Sequence, residues 1–407
     1  MHVVHHLLGS HSVALFARSV LVTICLSSVT YYGFAILSAK EFFSAVRSRN
    51  PHFQPPITIL KPLRGIDRDA YENFASFCRQ RYPKYQLIFG ADSPDEPAIG
   101  VARQIARDFP NVDIRVVIGG APTARNPKVG NLTAMVSQAK YPTILISDSD
   151  IRVGPGHLET IIAPMADPRV GVVTCLYRSE ATGFAGTMDA LGLSTDFQPS
   201  VLVARKVEGI SFAMGSAILI RRSVLEEVGG FPAVADYLAD DYLLGNLPAR
   251  AGYQVELSPY VVDHRLDTAS LRQFIQHQIR WNRGIRAARP WGYAGLVLTQ
   301  GVPASLLLLL VTGGSSIGWG LAGLTLAARL GMAWFIAVRC LKDRAARSAL
   351  WLVPVRDVLS FVMWVSAFFG ATVVWRGNRF RIGEGGRLLA TPTASAGPTA
   401  ARTRVAS

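Results

Sequence analysis

Residues 141–153 read YPTILISDSDIRV, in which a short apolar run at 143–146 stops abruptly at Asp148 and Asp150. The run is rich in β-branched residues and follows Pro142, a pattern typical of a buried strand. In open α/β sheets, ligands bind beyond the carboxyl ends of the strands. A carboxylate pair at that position can hold a divalent cation, which can in turn hold a diphosphate. A turn rich in Asp and Ser after a strand is the alternative, and the rest of the sequence favours the metal.

The composition indicates a membrane protein. The 407 residues are 50% hydrophobic and only 17% charged, and the mean hydropathy is +0.26. Such a chain is too apolar for an ordinary soluble protein. The net charge of +14 suits nucleic acid, anionic lipid or phosphorylated substrates. Because no block of Lys and Arg alternates with aromatic residues, we expect no nucleic-acid partner. The four cysteines are far apart and form no CxxC, so neither zinc nor a disulfide framework is indicated.

The N-terminal region contains a predicted membrane anchor. Residues 13–37 are apolar over a length that can span a bilayer, and they lack the small-residue cleavage pattern of a signal peptide. Lys40, Arg47 and Arg49 follow closely. By the positive-inside rule, the domain after them is predicted to be cytoplasmic.

Three further apolar segments lie near the C-terminus. Residues 293–311 and 317–338 are each long enough to cross a membrane, and the short connection between them predicts a hairpin. Residues 351–375 are apolar but contain Arg356 and Asp357. A charged pair in an apolar segment is costly unless it lies at an interface or in the protein interior. We therefore predict an interfacial or re-entrant segment there.

Between the membrane regions, strands and amphipathic stretches alternate. This rhythm predicts an α/β domain with a parallel, doubly wound sheet. The C-terminal tail is rich in Ala, Thr, Ser and Pro, which favours disorder. The predicted organisation is an anchor at 1–50, the α/β domain at 51–290, membrane segments at 291–386 and a disordered tail at 387–407.

Polar residues at other strand ends are candidates for nucleotide binding. Lys61 ends one predicted strand and Asp92 follows the next, where a carboxylate can accept hydrogen bonds from a base or a ribose. Arg125 and Lys128 lie on a later loop, where a cation can meet a diphosphate. A structural turn and a solvated surface are the respective alternatives.

The sequence ADDY at 239–242 contains a candidate general base. Adjacent acids before a short helix favour the helix N-terminus, so simple capping is one interpretation. In the other, Asp240 or Asp241 takes a proton from an acceptor hydroxyl.

A basic amphipathic helix is predicted at 271–289. His277, Arg280 and Trp281 share one of its faces by the i, i+3, i+4 rule. The helix could lie on anionic lipid, or this face could bind a diphosphate and a lipid headgroup beside the acidic residues.

Taken in order, these motifs resemble the ceramide glucosyltransferase family of membrane-bound GT-A glycosyltransferases. The likeness extends over residues 57–386. The matching motifs are KPLRGID (61–67), NPKVGNL (126–132), DSDIRV (148–153), DDY (240–242), IRW (279–281) and WRGNRFR (375–381).

The resemblance implies an inverting transfer of sugar from a UDP-sugar to a lipid hydroxyl, with a divalent cation, Mg²⁺ or Mn²⁺. It implies that Asp92 contacts the nucleotide and that Asp148 and Asp150 serve the metal and diphosphate. Asp241 is implied as the base, and Arg280 and Trp281 complete the site. We also assign Lys61 and Lys128 to the nucleotide-sugar site, and His277 to the acceptor or diphosphate site.

Two positions depart from the ceramide enzymes of eukaryotes, which have Gly at the position of Asp150 and Gln or Arg at that of His277. Both departures resemble the bacterial hopanoid-associated branch, which implies transfer of N-acetylglucosamine to a hopanoid polyol. A ceramide glucosyltransferase using UDP-glucose is the alternative. A processive polysaccharide synthase is disfavoured because three or four apolar segments are few for a channel. A catalytically inactive membrane scaffold that only binds UDP-sugar is disfavoured by the intact acidic set.

Overall fold

The computed structural model describes residues 2–45, 52–120, 124–266, 270–375 and 378–390. The strands in these ranges are β1 (Ile57–Pro62), β2 (Tyr85–Ala91), β3 (Asp113–Ile118), β4 (Thr143–Ile146), β5 (Ile151–Arg152), β6 (Val170–Glu180), β7 (Ile218–Arg221), β8 (Gln254–Arg265), β9 (Thr372–Trp375), β10 (Asn378–Ile382) and β11 (Leu388–Ala390). The helices are α1 (His2–Ser44), α2 (Ala70–Cys78), α3 (Ala98–Asp108), α4 (Pro127–Val136), α5 (His157–Ile162), α6 (Gly183–Gly192), α7 (Gln198–Glu208), α8 (Arg222–Glu227), α9 (Asp240–Arg250), α10 (Leu271–Ala288), α11 (Pro290–Gly295), α12 (Gly301–Val311), α13 (Ser316–Ala333), α14 (Arg344–Ala349) and α15 (Val353–Ser366).

The central sheet has eight strands in the order β3-β2-β1-β4-β7-β6-β8-β5. The first four are parallel, as predicted. The prediction of a wholly parallel sheet is wrong, because β7 runs antiparallel to both β4 and β6, and β5 runs antiparallel to β8. Strand β6 extends to Glu180, and α6 and α7 follow it before the chain returns through β7. The resulting sheet is mixed.

Apolar residues cover both faces of this sheet, which explains why its central strands are buried throughout. Phe74 of α2 packs against Phe89 of β2 on one face, with ring centroids 4.8 Å apart. Leu132 and Met135 of α4 belong to the core on the other face. Helix α4 begins with a side-chain cap, because the Asn126 oxygen accepts from the Lys128 and Val129 amides. This cap fixes the start of the helix that carries Lys128.

Among the described residues, three helices are long and apolar enough to cross a membrane: Ser12–Ser44, Ser316–Cys340 and Arg344–Ser366. The predicted anchor at 13–37 lies within the first. The segment predicted at 293–311 is bent by 56° between Pro290–Thr299 and Gly301–Val311, so it is a broken span or a re-entrant loop. The segment containing Arg356 and Asp357, predicted as interfacial or re-entrant, has the length and composition of a span.

Charged side chains lie buried between these helices. Arg329 of α13 donates to both carboxylate oxygens of Asp357 on α15, at 2.9 and 2.8 Å. The same guanidinium donates to Asp196, in a π-helical turn between α6 and α7. Arg356 donates to the Met188 carbonyl at 3.0 Å. We call Arg329, Arg356, Asp196 and Asp357 the ion network; its arrangement confirms that the charged pair of this segment lies in the protein interior.

The C-terminal strands form a second sheet in the order β11-β10-β9. This small sheet is attached to the loop before α9, because Leu388 donates its amide to the Asp236 carbonyl at 2.7 Å. Strand β11 lies inside the range predicted as a disordered tail, so that tail does not begin at residue 387. The predicted disorder of residues 391–407 lies outside the described residues.

Candidate active site

Four carboxylates meet where the β4 end approaches the start of α9. Asp148 and Asp150 follow β4, whereas Asp240 and Asp241 occupy the first turn of α9. A Cβ atom added to Gly215, just before β7, would lie 3.3 Å from an oxygen of Asp148 and 3.3 Å from one of Asp241. An oxygen of each carboxylate therefore borders the space that any side chain at 215 would occupy. We call this space the Gly215 gap.

Lys128 joins the two acidic pairs. Its ammonium lies 2.6 Å from Asp148 and 3.7 Å from Asp240, with 12% of the side chain exposed. Burial disfavours the charged ammonium, but Asp148 and Asp240 outweigh this effect and raise the pKa of Lys128. We call Lys128 and the four carboxylates the acid cluster. The structure thus places Lys128 beside the metal motif, where its predicted contact with a diphosphate stays a prediction.

Lys61 lies beneath the cluster. Its side chain is fully buried, and its ammonium donates to the Asp148 carbonyl at 2.7 Å and lies 4.0 Å from the Phe77 ring centroid. Burial lowers the pKa of Lys61 to about 7. The predicted direct contact of Lys61 with a nucleotide sugar is therefore wrong for this structure, because a central strand covered on both faces offers its side chains no solvent. Lys61 holds the backbone of the metal motif.

Asp150 points toward β8. Its Oδ2 lies 3.2 Å from His264 Nε2, and Ser179 Oγ lies 3.2 Å from the other ring nitrogen. Burial would lower the pKa of His264, but the nearby carboxylates, Asp150 foremost, together outweigh burial and raise it. The second Asp150 oxygen is buried and has no hydrogen-bond partner. A buried carboxylate oxygen without a partner is costly, and a bound cation would satisfy it.

The described residues contain no group of three His, Cys, Asp or Glu side chains arranged to hold a metal by themselves. Mg²⁺ does not require one, since it is commonly held by one or two carboxylates together with substrate phosphates and water. Asp148 at the Gly215 gap and the unpartnered oxygen of Asp150 fit that role. Asp67 adds a nearby acid that accepts from Ser149, and burial followed by repulsion from Asp150 raises the pKa of Asp67.

Asp241 has the environment of a general base. Its carboxylate accepts from the Gly215 amide at 3.2 Å and from the Tyr242 amide at 2.9 Å. Burial, followed by the neighbouring Asp240, raises the pKa of Asp241 to about 6. A base with a pKa near the working pH is efficient and still ionised at pH 7. Asp240 instead accepts from Asn126 at 3.0 Å and pairs with Lys128, which is a supporting role.

Asp92 lies at the same edge of the sheet. It follows β2, and Asp148 follows β4, with β1 between the two strands. Two strand spacings separate them by about 10 Å. Arg64 lies 3.4 Å from Asp92, and both side chains are more than a third exposed. This accessible position fits the predicted contact with a nucleoside.

The predicted face of α10 lies on the membrane side of the site. His277 Nδ1 lies 3.1 Å from the fully buried Asp189, and its ring stacks with that of Trp281. Trp281 packs on Phe197, with centroids 4.8 Å apart. Arg280 is half-buried on the same helix. The structure therefore brings His277 and Trp281 together against the helices after β6, one layer away from the acid cluster.

Sequence reasoning missed several residues of this site. Asp67 lies inside the motif KPLRGID, so the sequence pattern could have predicted an acid near the metal motif. No such pattern indicated His264, Asp189 or Gly215, because each reaches the site from a distant element.

Comparison with known proteins identifies the family. The model of glycosyl transferase family 21 matches residues 20–388, which is most of the chain. The chain belongs to glycosyl transferase family 21.

Similar proteins agree with this assignment. The family 21 enzyme is 26% identical over 356 residues to ceramide glucosyltransferase 1 of Caenorhabditis elegans, covering 85% of this chain and 76% of that protein. It is 36% identical over 138 residues to a ceramide glucosyltransferase of Komagataella phaffii, covering 32% of this chain and 26% of that protein. The protein is a glycosyltransferase.

A solved structure confirms the fold. A mannosyltransferase from Pyrobaculum calidifontis, in complex with GDP-Man and Mn²⁺, superimposes with a TM-score of 0.54 at 17% identity. The match covers 87% of this chain and 99% of the mannosyltransferase. The family 21 enzyme thus has the predicted GT-A glycosyltransferase fold.

Proposed function

We propose that this protein transfers a sugar from a UDP-sugar to the hydroxyl of a membrane lipid, with inversion at the sugar carbon. The observation that carries the proposal is the Gly215 gap, which is bordered by the Asp148 carboxylate of the metal motif and by the Asp241 carboxylate, whose pKa is raised. Inversion requires attack from the side opposite the departing diphosphate. An acid that can hold a cation and a second acid that can serve as a base, both beside one space, are the groups that such an attack needs.

On the donor side, Asp92 contacts the nucleoside, while Asp148 and Asp150 hold a divalent cation. A divalent cation held there would neutralise the charge that develops on the departing UDP. Lys128 adds a second positive charge beside Asp148. The Mn²⁺ and nucleotide sugar in the mannosyltransferase of the same fold support this assignment.

On the acceptor side, Asp241 removes the proton of the attacking hydroxyl. A hydroxyl is a poor nucleophile until its proton is removed as the new bond forms. The backbone amides of Gly215 and Tyr242 fix the Asp241 carboxylate in place. Asp148 and Asp150 are committed to the cation, which leaves the base role to the α9 pair.

The lipid acceptor is supported by the apolar helices and by the relatives named ceramide glucosyltransferase. We propose N-acetylglucosamine as the sugar and a hopanoid polyol as the acceptor, because His277 and Asp150 resemble the hopanoid-associated branch. The second candidate is transfer of glucose to ceramide, favoured by the names of the relatives.

We further propose that the catalytic domain faces the cytoplasm of a bacterial inner membrane, where UDP-sugars are made. The basic residues after α1 support this orientation. A cysteine placed at the partly exposed position Ser93 should react with a membrane-impermeant reagent only in permeabilised cells. Labelling of intact cells from outside would show that the domain has the opposite orientation.

The deciding experiment uses purified protein in detergent with a panel of UDP-sugars. Bacteriohopanetetrol and ceramide are supplied separately, and products are identified by mass spectrometry. Transfer to bacteriohopanetetrol with little or none to ceramide is expected. Efficient transfer to ceramide alone would select the second candidate. UDP-sugar binding without transfer to either lipid or to a total lipid extract would indicate an inactive scaffold.

A further inference from the structure

A cavity of about 160 Å³ lies where the catalytic domain meets the apolar helices. Its walls come from α1, the π-helical turn, α10, the bend before α12, α13 and α15. The polar lining includes Asp196, Arg329, Asp357 and Ser360. We infer that this cavity binds the uncharged, hydroxyl-rich head of the lipid acceptor; the inference rests on the proposed lipid transfer and identifies where the acceptor is held.

The polar groups of the cavity are arranged to recognise hydroxyls. Arg329 is only 2% exposed, whereas the Asp196 side chain that it contacts is 40% exposed and lines the cavity. A carboxylate accepts hydrogen bonds and a guanidinium donates them, so together they match hydroxyl groups, which do both. Since Asp196 and Asp357 balance the charges of Arg329 and Arg356, which also lines the cavity, no spare positive charge is left for an anionic head. Phosphate-bearing lipids are therefore poor candidates.

The cavity is large enough for the head of the lipid but not for its tail. An engineered cavity of about 150 Å³ admits a benzene molecule, so this one holds roughly six heavy atoms. A short polyol chain fits, and a hydrocarbon tail must leave the cavity. The bend at Gln300 forms part of the wall, and beyond it α12 exposes Leu306 and Leu310. This apolar surface gives the tail a place in the bilayer.

Aromatic rings connect the cavity with the metal motif. Phe197 and Trp281 line the cavity, and Phe197 lies 6.0 Å from Tyr177 between ring centroids. Tyr177 lies 5.8 Å from the His264 ring, and His264 contacts Asp150. The rings of Tyr177 and His264 therefore lie between a head held in the cavity and the Asp150 carboxylate of the acid cluster.

The principal test fills the cavity without altering a charge. Ser200 lines the cavity, and its hydroxyl donates to the Phe197 carbonyl three residues earlier, at 2.7 Å. Ser200→Leu should raise the acceptor KM at least tenfold and leave the affinity for UDP, measured by calorimetry, within twofold. Ser348→Leu is the matched control, because Ser348 also donates to a backbone carbonyl a few residues earlier but is exposed and outside the cavity.

A second variant tests recognition rather than space. Asp196→Asn keeps the shape but weakens the acceptor for hydroxyl hydrogen bonds, and it should raise the acceptor KM by about three- to tenfold, the value of one hydrogen bond. The kcat should stay within twofold, since Asp196 does not touch the acid cluster. Unchanged acceptor KM in both folded variants would overturn the inference. If Ser200→Leu does not fold, Asp196→Asn decides the question.

Photo-crosslinking provides a readout that does not require turnover. A bacteriohopanetetrol analogue and a ceramide analogue, each with a diazirine near the head, should label residues 278–285 and 296–303. Excess unlabelled lipid should prevent the labelling, and phosphatidylglycerol should not. Labelling elsewhere would refute the cavity even if transfer occurs. Labelling here without any transfer would support the cavity and contradict the proposed enzymatic function, so the two failures remain distinguishable.

Discussion

The acid cluster and the ion network both contain charged side chains that are buried or partly buried, but their charge balance differs. The acid cluster combines four carboxylates with Lys128, and Lys61 and His264 are the neighbouring basic groups. In the ion network, Arg329 and Arg356 face Asp196 and Asp357, one cation for each anion. Uncompensated buried charge is costly, whereas a paired network is satisfied without any added ion. The difference supports the proposal that the acid cluster binds a cation, whereas the ion network needs no added ion.

The largest expected effect is that of removing divalent cations. Chelation should abolish sugar transfer, and Mg²⁺ or Mn²⁺ should restore it, since the excess negative charge then repels the diphosphate. Asp148→Asn should cost more activity than Asp150→Asn, because Asp148 faces the Gly215 gap while Asp150 also contacts His264. UDP release provides the measurement. Full activity in excess chelator would remove the cation from the proposal.

The next effect concerns the base. Asp241→Asn preserves size and should lower kcat by about two to four orders of magnitude, the usual contribution of general base catalysis. UDP binding should be retained. The matched variant is Asp240→Asn, which should lose much less, because Asp240 supports Lys128 and Asn126. Near-normal turnover of Asp241→Asn with an inactive Asp240→Asn would exchange the two roles.

Substitutions in the two clusters should change the thermal stability of the protein in opposite directions. Asp357→Asn breaks a buried ion pair and should lower the free energy of unfolding by about 3–5 kcal/mol. Asp241→Asn relieves repulsion in the acid cluster and should melt at or above the wild-type temperature without added cation. Both variants would be heated in the same detergent. Equal losses would mean that charge balance does not distinguish the clusters.

A steric prediction applies to the Gly215 gap. Gly215→Ala adds a methyl group 3.3 Å from both catalytic carboxylates and should lower kcat about tenfold, in line with the sensitivity of reacting geometry to small displacements. Gly100→Ala is the control, because no atom lies within 4 Å of its added methyl group. Similar activity of the two variants would show that the gap is not the reaction space.

The smallest effect is a shift in pH dependence. Asp241 acts only when ionised, and its pKa is raised to about 6 by burial and then by Asp240, with Lys128 opposing the rise. Transfer should therefore fall as the pH drops below about 6. Asp240→Asn removes one repelling charge, so its acidic limb should move to lower pH. If the acidic limb of the pH–activity profile does not shift in Asp240→Asn, a group other than Asp241 controls it.

The sequence located both acidic pairs because each depends on a local pattern, and their roles as metal motif and base stay predictions. Asp148 follows an apolar run whose end must lie at the ligand edge of the sheet, and the structure puts it there. The adjacent acids at 240 and 241 begin a helix, as their charge favours. Lys61 was misjudged, although a lysine in a strand buried on both faces has no route to solvent.

Contacts between elements that are distant along the chain could not be predicted from the sequence. His264 reaches Asp150 only because β5 pairs with β8. Asp357 was recognised as an unusual charge, but its partner Arg329 lies in a different helix, and no spacing rule joins them. The antiparallel direction of β7 depends on how α6 and α7 return the chain, which an apolar strand pattern does not record.

The small C-terminal sheet makes the catalytic domain inseparable from the rest of the chain. Its last strand is hydrogen-bonded to Asp236, and Arg125 donates to the Leu388 carbonyl at 2.9 Å, a few residues from the α9 acids. A soluble fragment cut at residue 290 would discard this brace and leave the loop before Asp240 unsupported. Fragment crystallography or screening on such a truncation would therefore sample a distorted pocket, and inhibitor discovery needs the intact protein in detergent or nanodiscs.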